Sequence, residues 1–224
     1  MGQPVTLRRL AIPVALAFAL IVPAGAAAAG PSVLGLTCAS QPDGVRQCGG
    51  AGPGGTPTSV NVDANNAAGQ IPIDVNVTLP PTPGSGVDGG YPLVILPHGY
   101  GGQKIAFDGS NNGNSVASPH EWASRGYAVL TNSDRGFWGS CGTPAARLAG
   151  GAGCAQGWNQ LMQARYEVRD AQNLAGMLAD QGWVDPQRIG STGYSYGGGE
   201  SLLLGTLKDR VMNTDGTWRR GPAR

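Results

Sequence analysis

Five residues late in the chain, Gly193-Tyr194-Ser195-Tyr196-Gly197, have the types and spacing of a nucleophile turn. A serine with a glycine two residues away on each side can occupy a tight strand-to-helix bend that pushes its hydroxyl clear of a sheet. The chemistry this suits is attack on an ester or amide carbonyl. The pattern alone is weak. With 38 glycines in 224 residues, a shuffled chain would show roughly 0.4 such matches. Its surroundings strengthen it, because an apolar run precedes it and an apolar stretch follows. That places the serine at the carboxyl end of a strand, where ligands bind in open parallel sheets. The N–H of Tyr196, next after the serine, would face a developing oxyanion.

A second cluster, His98-Gly99-Tyr100-Gly101-Gly102, follows another apolar run. A glycine-rich loop there lets backbone N–H groups approach a substrate oxygen. Tyr100 could contribute its N–H or its phenol. His98, just before the glycines, suits loop packing better than proton transfer. His120 is the other histidine, and its place before an early helix suits capping or packing. No histidine follows Ser195, and the acids that do are Glu200, Asp209 and Asp215. A serine without a base is a poor nucleophile, so the proton-handling partners are not evident in this sequence.

These residues need elements to hold them. Residues 71–79 alternate apolar and polar and predict a half-buried strand, with Pro72 placing it at a sheet edge. Leu93-Val94-Ile95-Leu96 and Tyr127-Ala128-Val129-Leu130 are continuous apolar runs, as in strands covered on both faces. Helices are predicted near 118–125, from about 160 to 181, and over 200–211 with Leu202, Leu203, Leu204 and Leu207 buried. A third central strand over 188–192 leads into the serine turn. Strands alternating with helices predict an α/β fold with a mostly parallel sheet covered on both faces.

Residues 1–29 have the pattern of an export signal: Arg8 and Arg9, an apolar run over 10–22, and small residues at 26–29. The run is short for a membrane span, which needs about 20 apolar residues, so no stable membrane association is expected after cleavage. Without residues 1–29 the basic count falls from 15 to 13 against 14 acids, a net charge of −1. A near-neutral surface gives no reason to expect nucleic acid as a partner. Residues 30–69 are rich in Gly, Pro and Ala and predict an irregular segment; residues 70–224 form the predicted catalytic domain. Four cysteines, Cys38, Cys48, Cys141 and Cys154, suit an oxidising compartment. They allow three pairings, which spacing does not decide. The two local bridges, 38–48 and 141–154, are favoured because each would staple a loop without apolar periodicity. No zinc spacing, other metal site or cofactor motif is present. Residues 108–113 superficially resemble a calcium loop, but Pro119 stands where a bidentate Glu is needed. Asn76-Val77-Thr78 is a glycosylation sequon within a predicted strand. Asp134-Arg135 is expected to hold its loop as an ion pair; Trp138 and Trp158 are candidates to line a pocket, with packing in the core as the default expectation.

Several segments in order carry a family resemblance: His98-Gly99-Tyr100-Gly101, Gly126-Tyr127-Ala128-Val129-Leu130, Asp134-Arg135-Gly136-Phe137-Trp138-Gly139-Ser140, Asp185-Pro186-Gln187-Arg188-Ile189-Gly190, and Gly193-Tyr194-Ser195-Tyr196-Gly197-Gly198. Over residues 70–215 the chain resembles the N-terminal half of an α/β-hydrolase. It is most similar to the X-prolyl dipeptidyl peptidase and cocaine-esterase-like group. The resemblance implies a three-layer fold, incomplete at the C-terminus, and Ser195 as the nucleophile. It also implies a tyrosine hydroxyl on the oxyanion, matched here by Tyr100. The family's acid and histidine follow the serine on later loops, and neither can be matched. The expectation is an exported serine hydrolase acting on a small ester, amide or peptide through an acyl-enzyme, truncated here and weakly active or inactive. The alternatives are a non-catalytic secreted binding protein on the same scaffold and, more weakly from Gly and Pro content, a cell-wall structural protein.

Overall fold

The computed structural model describes residue 2 and residues 32–50, 59–62, 71–108, 118–207, 209–212 and 218–220. The chain divides into Met1–Gly30 and Pro31–Arg224, and the architecture below belongs to the second unit. The predicted export signal and most of the calcium-like loop lie outside the described residues.

Strands β1 (Cys38–Ser40), β2 (Arg46–Cys48), β3 (Ser59–Val62), β4 (Ile71–Leu79), β5 (Tyr91–Ile95), β6 (Ala128–Asn132) and β7 (Val184–Ser191) form one sheet. Its order is β1-β2-β4-β6-β5-β7, with β3 also on β4. The centre, β6-β5-β7, is parallel, and antiparallel β4, β2 and β1 extend it. The helices are α1 (Pro119–Ser124), α2 (Pro144–Gly150), α3 (Glu167–Asp180) and α4 (Tyr196–Thr206). A separate hairpin joins β8 (Arg210–Met212) and β9 (Trp218–Arg220).

The central strands alternate as a doubly covered sheet must. Leu93, Ile95, Ala128 and Leu130 face a core shared with Val168, Ala171, Leu174 and Leu178 of α3 and Leu204 of α4. Val94, Leu96 and Val129 face the opposite layer, with Phe107, Trp122 and Tyr127. Each large aliphatic side chain so buried contributes about 1.5–3 kcal/mol. Helix α1 starts where its sequence says it should. Ser118 Oγ accepts the Glu121 N–H at 3.1 Å, and Pro119 occupies the first turn.

Four expectations are corrected. β4 is an interior strand, buried almost throughout, rather than a half-exposed edge. Its polar residues are covered by loops: Asp74 pairs with Lys104 at 2.7 Å and its N–H donates to Ser140 Oγ at 2.8 Å. Asn76 of the sequon is consequently buried. α3 begins at Glu167, not near 160, because the Glu167 carboxylate turns back to accept the N–H groups of Gln160 and Gln163. α4 runs from Tyr196 to Thr206, eleven residues that begin directly after Ser195, and Leu202 is exposed. Three consecutive helical residues span about 200° and cannot all face inward. Finally, the segment predicted as irregular contributes β1, β2 and β3.

Both local disulfides form, Cys38–Cys48 and Cys141–Cys154. The first joins directly opposed residues of the β1–β2 hairpin. The second joins the turn after Trp138 to the turn after α2, stapling a cover over β4. No helix among the described residues is long and apolar enough to cross a membrane.

Candidate active site

Ser195 lies between β7 and α4 with φ 53° and ψ −122°. A non-glycine residue in that region carries about 1–3 kcal/mol of strain. Its side chain makes no capping bond, while its carbonyl accepts the N–H groups of Gly198 and Gly199 at 3.0 and 3.2 Å. The residue is exposed. The bend is possible because glycines surround it. A Cβ at Gly197 would sit 2.1 Å from Pro97 O, and one at Gly193 would sit 2.7 Å from Pro97 O and from Gly197. The serine turn therefore rests directly on the main chain that leaves β5. Tyr196 opens the helix, so its N–H belongs to the first turn, where no intrahelical acceptor exists.

The loop after β5 lies alongside. Tyr100 is 64% exposed and packs edge-to-face on Phe137 and on Tyr196, with ring centroids 5.1 and 5.7 Å apart. Trp138 Nε1 donates to Gly101 O at 2.9 Å and anchors the same loop. Tyr100 is thus brought to the helix that Ser195 starts. The Tyr196 phenol is occupied: its oxygen accepts from Asn159 Nδ2 at 2.8 Å and from the Met162 N–H at 2.9 Å. Burial, then the nearby Glu167 and Asp134 charges, push that phenol well above the ordinary tyrosine range. Tyr196 thus has its backbone N–H at the helix start, while its phenol oxygen is held by Asn159 and Met162.

Neither histidine is placed to activate the serine. His98 is buried; its Nδ1 bonds Gly99 O at 2.7 Å and its Nε2 accepts the Asp134 N–H at 3.0 Å. That pattern fixes a neutral ring with both nitrogens engaged, and burial holds its pKa below the ordinary value. His120 does not cap α1, whose cap is Ser118; it pairs with Asp43 at 2.9 Å on the surface. The expected Asp134–Arg135 pair is also replaced. Arg135 makes a bidentate pair with Asp170 of α3, at 2.7 and 2.5 Å, fully buried. Asp134 instead accepts from Asn132 Nδ2 at 2.8 Å.

Trp138 and Trp158 are about half exposed, not core residues. Arg147 lies over the Trp158 ring, 3.5 Å from its centroid. Leu161 and Met162 follow in a turn where both have φ 60°. Nothing in the sequence marked this turn, since neither residue favours that conformation. A cleft of about 300 Å³ lies elsewhere, lined by Ile95, Ala175, Ile189, Ser191, Ser201 and Leu204. It opens under α4 beside β7, whose one partner among the described residues is β5, and it contains neither Ser195 nor Tyr100.

Comparison with known proteins sets this geometry among relatives. No curated protein matches the chain. A protein assigned as an acetyl xylan esterase in Bacteroides fragilis shares the fold, at 14% identity and a TM-score of 0.50, over 80% of this chain and 46% of that one. The CocE/NonD family hydrolase of Staphylococcus aureus is similar at 18% identity and a TM-score of 0.39, over 74% and 29%. A puromycin-hydrolyzing peptidase of Mycobacterium tuberculosis is similar at 23% identity and a TM-score of 0.45, over 68% and 20%. The chain thus spans less than half the length of these structures. The fold is that of the α/β-hydrolases, and residues 69–214 match the X-Pro dipeptidyl-peptidase (S15 family) profile, so this chain belongs to that family of hydrolases.

Proposed function

We propose that this chain carries the nucleophile of an exported serine hydrolase that cleaves ester or X-Pro amide bonds through an acyl-enzyme on Ser195. One observation carries the proposal: an exposed serine, backbone-strained, in a glycine turn that abuts the loop after β5. Attack by Oγ on a carbonyl carbon would place negative charge on its oxygen. The Tyr196 N–H and Tyr100 are the donors assigned to that oxygen. Removing one such donor typically costs about 10²–10³ in rate. Export is supported by two disulfides, which persist in oxidising compartments. Because His98 and His120 are both engaged elsewhere, the base is assigned to a group outside these 224 residues.

The test is labelling with a fluorophosphonate probe, alongside hydrolysis of p-nitrophenyl esters and X-Pro amides. Slow labelling that Ser195→Ala abolishes is expected, with little turnover. Labelling that survives Ser195→Ala would remove the serine from its role. Rapid serine-dependent turnover would refute the assignment of the base to a group outside the chain. A well-folded protein that binds esters or peptides but never labels would favour a non-catalytic binding protein, the alternative that the engaged histidines support.

A further inference from the structure

Beneath the serine turn lies a group of carboxyls that the hydrolytic chemistry does not use. Glu200, on the first turns of α4, is completely buried, and Asp134, in the loop after β6, is 1% exposed. Both Glu200 oxygens and Asp134 Oδ2 lack a donor among the described side chains and main chain. They are within hydrogen-bonding reach of each other. Two ionised carboxylates cannot face one another in a dry interior, because both only accept and both are negative. A single proton between them resolves both problems. Asp134 has other support: Oδ1 accepts from Asn132 Nδ2, and Arg135 lies next in the chain. Glu200 has no such donor and stands beside the like charges of Asp134, Glu167 and Asp170.

We propose that Asp134 and Glu200 share one proton, held on Glu200, and that the resulting carboxyl–carboxylate hydrogen bond ties the serine-bearing helix to the loop after β6 and, through His98, to the loop after β5. The tie continues through named bonds. The Asp134 N–H donates to His98 Nε2, and His98 Nδ1 bonds Gly99 O. A line of polar contacts thus joins α4 to the backbone beside Tyr100. Glu200 is a positioning residue in this scheme. The tie concerns the foundation of the turn and stands apart from whether Ser195 turns over substrate.

The groups facing the pair come from every neighbouring element. The loop after β5 presents His98, neutral and 3.8 Å from Asp134 Oδ2. The loop after β6 presents Arg135, whose guanidinium is taken by Asp170. α3 contributes Glu167, Arg169 and Asp170, all buried, and α4 contributes the Tyr196 phenol. Glu167 is pushed up to about 7, chiefly by burial. It would be mostly ionised by about pH 8, which separates it from Glu200.

The experiment is infrared spectroscopy of the full chain at about pH 8, where exposed carboxyls are ionised. The carbonyl stretch of one protonated carboxyl is expected, moved by isotope-labelled glutamate and absent from Glu200→Gln. The amide in that variant donates an N–H to Asp134 at every pH. Its unfolding midpoint should therefore decline less with rising pH than that of the native chain, whose folded state holds the Glu200 proton more tightly than the unfolded chain does. Absence of the band from the native chain overturns the proposal. So does a band that moves with labelled aspartate alone, or one that persists in Glu200→Gln. The labelling of the native chain decides the matter even if the variant does not fold.

Discussion

Replacing Gly197 with alanine tests the claim that main-chain contact sets the serine turn. The new Cβ would lie 2.1 Å from Pro97 O, 2.5 Å from Pro97 C and 2.7 Å from His98 O. These are backbone atoms, so no rotamer change relieves the overlap. Overpacking of this kind costs about 1–3 kcal/mol, and the contact distances place it at the upper end. Alanine returns up to about 1 kcal/mol of helix propensity, leaving a net loss of about 2 kcal/mol. Two neighbours on the same helix calibrate the effect. A Cβ at Gly198 would meet Gly193 O at 3.3 Å, and one at Gly205 meets nothing within 4 Å. Gly205→Ala should gain about 0.5–1 kcal/mol, and Gly198→Ala should change stability by less than about 1 kcal/mol. Urea denaturation of the three variants at one pH gives the comparison. If Gly197→Ala is as stable as Gly198→Ala, the close contact with Pro97 is absent and the geometry proposed for Ser195 loses its support.

Other outcomes follow from the same structure. Ser195→Gly should raise stability by about 1 kcal/mol, read from the denaturation midpoint, because glycine occupies φ 53° without strain. Asp170→Asn leaves the buried Arg135 guanidinium without its anion and should cost about 3–5 kcal/mol; no loss would mean the pair is not buried in solution. Replacing both Cys141 and Cys154 with serine should cost about 2–3 kcal/mol, and reductant, which opens Cys38–Cys48 as well, should lower the denaturation midpoint of the native chain further than that double replacement does. Stability should fall as pH rises from about 4.5 to about 7. The folded state holds the Glu167 proton more tightly than the unfolded chain does, so it binds more protons across that interval. Glu167→Gln should flatten that part of the profile.

The serine turn and the central strands were legible because they depend on local signals. Glycines at fixed offsets and unbroken apolar runs specify a bend and a doubly covered sheet without reference to anything distant. β4 was harder. Its alternation reads as a solvent-facing strand, yet Asp74 and Asn76 face loops folded over them, and no pattern within residues 71–79 reveals that cover. Leu161 and Met162 gave no sign of a left-handed turn, since their conformation is imposed by bonds to Tyr196 and by Glu167 reaching back. The Asp170 partner of Arg135 lies 35 residues along the chain, beyond any local rule. Glu200 read as an ordinary helix residue after the serine because only the packed fold shows that it is buried against Asp134.

The abutment of Pro97 against Gly193 and Gly197 has a broader meaning. Peptide atoms, common to every amino acid, fix how far the serine stands from the neighbouring loop. Side chains around the rim, among them Trp158 and Leu161, are exposed, and the backbone contact between Pro97 and the two glycines does not run through them. A scaffold built this way can exchange its rim while the Ser195 hydroxyl, the proposed nucleophile, stays where it is. Libraries aimed at new substrates should therefore randomise the rim and leave the glycines untouched.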